Sequence, residues 1–216
     1  LLTSGGSIVV EGQAVLNVPM SLDGAEDLIQ DGTPSINGAV YLLSRPELFG
    51  NAVQVSTQEA LQEAAEDPET SAIQVDGPIT LTEPVPVCVP LWVSERGSLD
   101  AESAQGQLLV ENALLVNEGT IQSGVWVGGD SAQIINRGTL DAQFGLWVDD
   151  GNGASPQNPL VNVGEIQTSG YNLLLCDGIN YGTVTVTGEE EEAFNLDRCS
   201  WWNYGHMEVS GGHWEA

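Results

Sequence analysis

Apolar and polar positions alternate in short runs along most of this chain, and one phrase keeps returning. It reads Val116-Asn117-Glu118-Gly119-Thr120-Ile121, then Ile135-Asn136-Arg137-Gly138-Thr139-Leu140, then Val161-Asn162-Val163-Gly164-Glu165-Ile166. It returns as Ile179-Asn180-Tyr181-Gly182-Thr183-Val184 and Trp202-Asn203-Tyr204-Gly205-His206-Met207. A degenerate copy without Asn is Val93-Ser94-Glu95-Arg96-Gly97-Ser98-Leu99. The glycines of these phrases recur at intervals of 18 to 26 residues, which points to a solenoid whose coils differ in loop length. After each Gly comes a mostly polar residue and then an apolar one, the period of a strand. Thr, Val and Ile dominate, so each coil is built of short strands. Gly permits a positive φ at a tight corner. Asn tolerates the left-handed region and can bond backbone with its amide. The expectation is a ladder in which Asn117, Asn136, Asn162, Asn180 and Asn203 stack at one corner, each largely buried. A helical repeat would need apolar spacings of three and four, and the Leu-x-x-Leu-x-Leu frame of leucine-rich repeats is absent. The pattern favours an all-β parallel β-helix, with coils stacked at roughly 4.8 Å.

Upstream, Val53-Gln54-Val55 alternates as a strand. Ser56 and Glu59 have the spacing of a capping box, and Ala60, Leu61, Ala64 and Ala65 form an apolar stripe at helical spacing. The spacing predicts a helix over about 56–67, ended by Pro68, that covers the open apolar end of the first coil. Ala72-Ile73-Gln74-Val75 and Pro78-Ile79-Thr80-Leu81 then read as two strands around Asp76-Gly77. This run, from Val55-Ser56-Thr57-Gln58-Glu59 through Ile73–Leu81, resembles the start of a pectate-lyase-like right-handed parallel β-helix, where a capping helix leads into a first coil of this form. The later Asn-x-Gly-Thr-Ile phrases resemble coils of bacterial surface and adhesin-like β-helix proteins. The resemblance covers about residues 53–214. It implies the fold and its right hand, and parallel crossovers share that bias. It does not select an activity, since the superfamily includes lyases, hydrolases and non-enzymatic surface proteins.

Two domains are expected: a β-rich segment at 1–50 and the β-helix at 51–216. In the first, 7–10, 14–18 and 38–43 read as strands. They would form a small subdomain, the end of a preceding module, or an edge packed along the solenoid. The run Glu83-Pro84-Val85-Pro86-Val87-Cys88-Val89-Pro90 reads as an extended corner, because its prolines remove ladder donors. The longest insertion, 149–158, falls between two coils, and Glu189–Glu192 reads as a solvated acidic loop. A first residue other than Met, and a last coil without a cap, imply a processed or excised piece with further coils or domains in the parent chain.

Charge then narrows the partners. The formal net charge is −27, from 31 acidic and 4 basic residues, and the basic ones are Arg45, Arg96, Arg137 and Arg198. Nucleic acid, anionic membranes and polyuronates are all repelled by such a surface. Nothing approaches the roughly 18 apolar residues of a membrane span, and no signal peptide is visible.

Candidate chemistry follows the coils. Trp126 and Trp147 occupy matching places in Val125-Trp126-Val127 and Leu146-Trp147-Val148, with Leu174 next in line. If the flanking aliphatics point inward, both indoles face outward from adjacent coils, as sugar-stacking platforms do, unless residues 1–50 or a loop cover them. Asp130, Asp149, Asp150, Asp177 and Asp197 follow the same strands. Of these, Asp149, Asp150 and Asp177 are candidate Ca²⁺ ligands, and paired carboxylates could equally serve glycoside hydrolysis; aligned Asp residues are also expected by chance in so acidic a chain. His206 and His213 sit near the end, in no Ser-His-Asp or Cys-His spacing. The outward row Ser98, Thr120, Thr139, Glu165, Thr183, His206 is too irregular for an ice-binding face. Cys176 and Cys199 each stand four residues before a phrase Asn. They are expected side by side, as a disulfide or a stack, with Cys88 unpaired. No cofactor other than Ca²⁺ is implied. The function expected is a non-catalytic bacterial extracellular or cell-surface module, an adhesin-like stalk or a glycan-binding surface, whose partner is a glycan or a host or cell-surface protein. A carbohydrate-active enzyme, hydrolase before lyase, is the alternative.

Overall fold

In this computed structural model the described residues are 8–12, 15–16, 20–22, 28–32, 35–36, 40–42, 46–129, 132–149, 160–169, 173–174, 178–187, 194–195, 201–210 and 214–215. The chain divides into two compact units, Leu1–Glu47 and Leu48–Ala216.

The first unit repeats the solenoid principle at small scale. Ile8–Gly12 pairs in parallel with Leu28–Gly32, Val15–Leu16 with Ser35–Ile36, and Met20–Leu22 with Val40–Leu42. Every pair is offset by twenty residues, as Ile8 opposite Leu28 shows. Two turns therefore lie one on the other. The sequence carries this period in Glu11-Gly12 and Asp31-Gly32, and in Leu16-Asn17 and Ile36-Asn37.

The second unit is a parallel β-solenoid in which each turn gives one strand to each of three sheets. The first sheet has eight strands: Val53–Val55, Ile73–Val75, Leu91–Val93, Leu114–Asn117, Gln133–Asn136, Leu160–Asn162, Gly178–Asn180 and Trp201–Asn203. The second has seven, from Pro78–Leu81 to His206–Ser210, and the third has seven, from Val85–Val87 to Trp214–Glu215. Alternation along each strand sends Leu91, Leu99, Leu108, Ile121, Ile134 and Leu140 into a shared core, all fully buried. Each such side chain contributes about 1.5–3 kcal/mol.

The start of the solenoid is covered as the apolar stripe requires. A helix, Gln58–Glu66, packs across the strands of the first turn and buries Leu61 and Ala64 against them. Its N-cap is Thr57, whose hydroxyl accepts from Ala60 N–H at 3.1 Å, so the Ser56–Glu59 capping box does not form. Neighbouring hydroxyls made the two frames look alike, and the extended backbone at Thr57 selects the second. Gln58 ties the helix down by accepting Thr82 N–H at 2.7 Å. Val85-Pro86-Val87 is a strand, not the corner that its prolines suggested. It pairs with Leu108–Val110 on one side only, at the end of the third sheet, where a missing donor is tolerated.

The phrase itself forms the corner between the first and second sheets. Asn117, Asn136, Asn162 and Asn180 are fully buried in one column, reached from Val55, Val75 and Val93 in the earlier turns. Their amides donate down the stack: Asn117 to Asn136 Oδ1 at 2.8 Å, Asn136 to Asn162 at 2.8 Å, Asn162 to Asn180 at 2.7 Å and Asn180 to Asn203 at 2.7 Å. Each also donates to a backbone carbonyl of the next turn, as Asn162 does to Thr183 at 3.1 Å. Asn203 differs from the buried expectation: it is exposed, in the last described turn.

The corner glycines are not there for a positive φ. Among the described residues that conformation belongs to Asn112, Gly129 and Gly145. A Cβ at Gly138, Gly164, Gly182 or Gly205 would instead run into the carbonyl of the corner glycine one turn before. That same carbonyl accepts the N–H that follows the next glycine, as Gly164 O does from Thr183 at 3.0 Å. Close stacking, not local conformation, selects Gly.

Residues between Asn and Gly pair along the stack. Glu118 takes the Trp92 indole N–H at 3.0 Å and lies 3.7 Å from Arg137. Tyr181 and Tyr204 stack with centroids 5.5 Å apart. Among the described residues no helix is long and apolar enough to cross a membrane.

Candidate functional site

The outward face of the third sheet carries the aromatic column. The strand Gln107–Glu111 turns Leu108 and Val110 inward, and Gly124–Gly128 turns Val125 and Val127 inward. Period two then leaves Leu109 and Trp126 outward. Register fixes the column: Pro86 opposite Leu109, Leu109 opposite Trp126, Trp126 opposite Trp147, and Trp147 opposite Leu174. Trp126 and Trp147 therefore sit on adjacent turns of one face, and both are half-buried.

Glycine decides how the rings lie. The benzo ring of Trp126 occupies the space above Gly128 that a side chain would take, and the benzo ring of Trp147 does the same above Gly145. Both indoles are laid against their own strands instead of standing away from the sheet. They point in opposite directions, since Gly128 follows Trp126 by two residues and Gly145 precedes Trp147 by two. Gly145 also holds a positive φ of 103°, and its carbonyl accepts Val125 N–H at 3.0 Å.

Polar groups border the Trp126 ring. Glu111 is exposed and sits opposite Gly128, on the same outward face. Asn112 adopts a φ of 52°, donates its N–H to Gly128 O at 2.8 Å, and lays its amide over Gly129. A left-handed Asn is an uncommon conformation, and here it sets the amide over Gly129, next in sequence to the glycine under the Trp126 ring. On the far side, Asp149 is opposite Gly128 by register, which puts its backbone in the Glu111 column. The face thus combines two apolar rings with a carboxylate and an amide at one edge. Such a face can take a partner that has an apolar surface and a polar rim.

Sequence reading puts the two tryptophans on one outward face and does not single out Glu111, Asn112, Gly128 or Gly145, which the structure sets around them. The available signal was Trp126-x-Gly128 and its mirror, Gly145-x-Trp147. At period two each pairs a ring with the one residue type that leaves room for it.

The other candidates are placed less fully. Asp130, Asp150, Asp177, Asp197, Cys176, Cys199 and His213 lie outside the described residues. Among the described residues no group of three or more His, Cys, Asp or Glu is gathered to hold a metal ion. Cys88 is a free, exposed thiol. The outward row of the second sheet runs in register from Ser98 through Thr120, Thr139, Glu165 and Thr183 to His206, so His206 belongs to a different face. Its Nε2 lies 3.9 Å from Glu208. Among the described residues the perturbed ionisations lie elsewhere, at the first long corner. There the Arg96 guanidinium, and then the Ser94 hydroxyl at 2.8 Å, hold the Asp76 carboxyl below its ordinary range.

Compared with protein-family models, curated proteins and solved structures, the chain finds no significant match.

Proposed function

We propose that this chain is a non-catalytic module of a bacterial extracellular or cell-surface protein, and that the outward face of its third sheet binds a neutral glycan. Kinship in fold with pectate-lyase-like β-helices, adhesin-like surface members above all, is part of this proposal. The observation that carries it is the pair of indoles on adjacent turns, each seated on a glycine that leaves room for the ring. A tryptophan so placed offers a large rigid surface at little entropic cost, with an N–H at its rim. Glu111, exposed and opposite the glycine under the Trp126 ring, supplies a hydrogen-bonding partner at its edge. The sign of the ligand follows from the formal charge of −27, which disfavours uronate polymers.

The test is a binding screen of the purified chain against neutral and uronic polysaccharides, read by tryptophan fluorescence and calorimetry. A neutral glucan or xylan should bind, Trp126→Ala and Trp147→Ala should each weaken it, and polygalacturonate should not compete. Preference for the uronate would overturn the reading. Glycan turnover abolished by Glu111→Gln would replace it with the glycosidase alternative.

A further inference from the structure

We infer that the two indoles are separate subsites of one extended site, and that its ligand is an oligosaccharide of three or more sugars lying obliquely across the turns. This rests on the glycan reading above and adds the length and orientation of the ligand.

The geometry comes from the glycines beneath the rings. Gly145 lies beside the start of the strand Gly124–Gly128, as its bond from Val125 shows. Gly128 is four residues further along that strand. The two benzo rings are therefore about 13 Å apart along the strand direction and roughly 5 Å apart across it. A pyranose ring is about as wide as an indole, so a single sugar reaches one ring only. A chain that stacks on both needs at least one sugar between them. Its path is diagonal, because the rings point in opposite directions from a common column. Flat, equatorially linked chains suit this, since they present C–H faces along their length. The Trp126 subsite has Glu111 at its rim, opposite Gly128. The Trp147 subsite adjoins Phe144, which is half-buried. The two ends are therefore unlike: the first reads hydroxyls and the second is more apolar.

The experiment is a calorimetric length series with β-1,4-linked gluco-oligosaccharides of two, four and six units. The hexasaccharide should bind the native chain about tenfold or more tighter than the disaccharide, the gain from engaging a second ring. Trp147→Ala should abolish that gain, and Trp126→Ala should weaken binding of the disaccharide and the hexasaccharide alike. Trp147→Leu serves as a milder variant, and far-UV dichroism verifies that each variant is folded. A disaccharide that binds as tightly as the hexasaccharide would overturn the two-subsite inference while leaving the glycan reading in place. So would a hexasaccharide indifferent to Trp147→Ala. Absence of binding to every oligosaccharide and every neutral polysaccharide would remove both.

Discussion

Asn117 donates its side-chain amide to Asn136 Oδ1 at 2.8 Å, yet its own buried Oδ1 has no hydrogen-bond partner. The cause is one turn back: Val93 stands opposite Asn117 and has nothing to donate. The ladder therefore has a direction and a first rung, and its members are not equivalent. Asn117→Val would extend the Val55, Val75, Val93 column and pass the orphan acceptor to Asn136, at about 1 kcal/mol or less. Asn162→Val would break the stack in the middle, deprive Asn136 of an acceptor and Asn180 of a donor, and cost about 2–3 kcal/mol. Urea denaturation of the two variants tests this order, and equal costs would contradict it.

Gly164 is held by its neighbour one turn away. A methyl there meets the Gly138 carbonyl, which is itself fixed by Glu165 N–H at 2.9 Å and cannot withdraw. Gly164→Ala should therefore cost about 3 kcal/mol, the upper end for forced overpacking. Gly77→Ala is the control, because its Cβ would meet only Ser56 Cβ at an ordinary 3.7 Å. It should change stability by roughly 0.5 kcal/mol or less. Thermal melts of both variants separate the explanations: if the corner glycine served only φ, nothing would link its cost to the carbonyl above.

How far the sequence spoke depends on what each residue answers to. The Asn-x-Gly phrase was legible because amide and glycine both respond to the turn above, and so recur at every turn. The early turns were faint because that column is Val, which reads as ordinary core, and because Ser94-Glu95-Arg96-Gly97 makes a longer corner. In the first unit Ile8–Gly12, Val15–Leu16 and Val40–Leu42 could be read, whereas Met20–Leu22, Leu28–Gly32 and Ser35–Ile36, and with them the pairing, could not; Asp31-Gly32 reads as a turn and instead ends a strand. There the Asn keeps its place but Gly does not follow two residues later: the sequence runs Asn17-Val18-Pro19 and Asn37-Gly38-Ala39. At the site, period two put Trp126 and Trp147 on one face. The lie of each ring was invisible until the glycines at plus two and minus two were read with it. Glu111 and Asn112 join the site only through register with Gly128.

Asp76 links the first long corner to pH. Its folded pKa is depressed by the hydrogen bond from Arg96 and then that from Ser94. A depressed carboxylate contributes stability that is complete above its unfolded value, near 3.8, and is lost as pH falls through the lower folded value. Asp76→Asn should therefore be less stable than the native chain at pH 7, and the difference should close below pH 3.8. Urea midpoints for both proteins between pH 7 and pH 2 provide the comparison. A difference that stays constant across that range would assign the effect to packing.

The seats of the two indoles can be altered without touching either indole. At Gly128 an added methyl meets the far end of the Trp126 side chain, which can swing away, unlike the carbonyl above Gly164. Gly128→Ala should thus cost about 1 kcal/mol or less in stability. It should still change the near-UV dichroism of tryptophan and lower affinity for the hexasaccharide to the level of Trp126→Ala. Gly145→Ala displaces Trp147 in the same way but also forces Ala into a φ of 103°. That adds roughly 1–2 kcal/mol of backbone strain. The pair should therefore differ in stability and agree in spectroscopic effect, and only the longer oligosaccharides should sense the change at Gly145. Unchanged near-UV dichroism in Gly128→Ala would mean that the ring does not rest where the structure has it, and the sugar platform would lose its foundation.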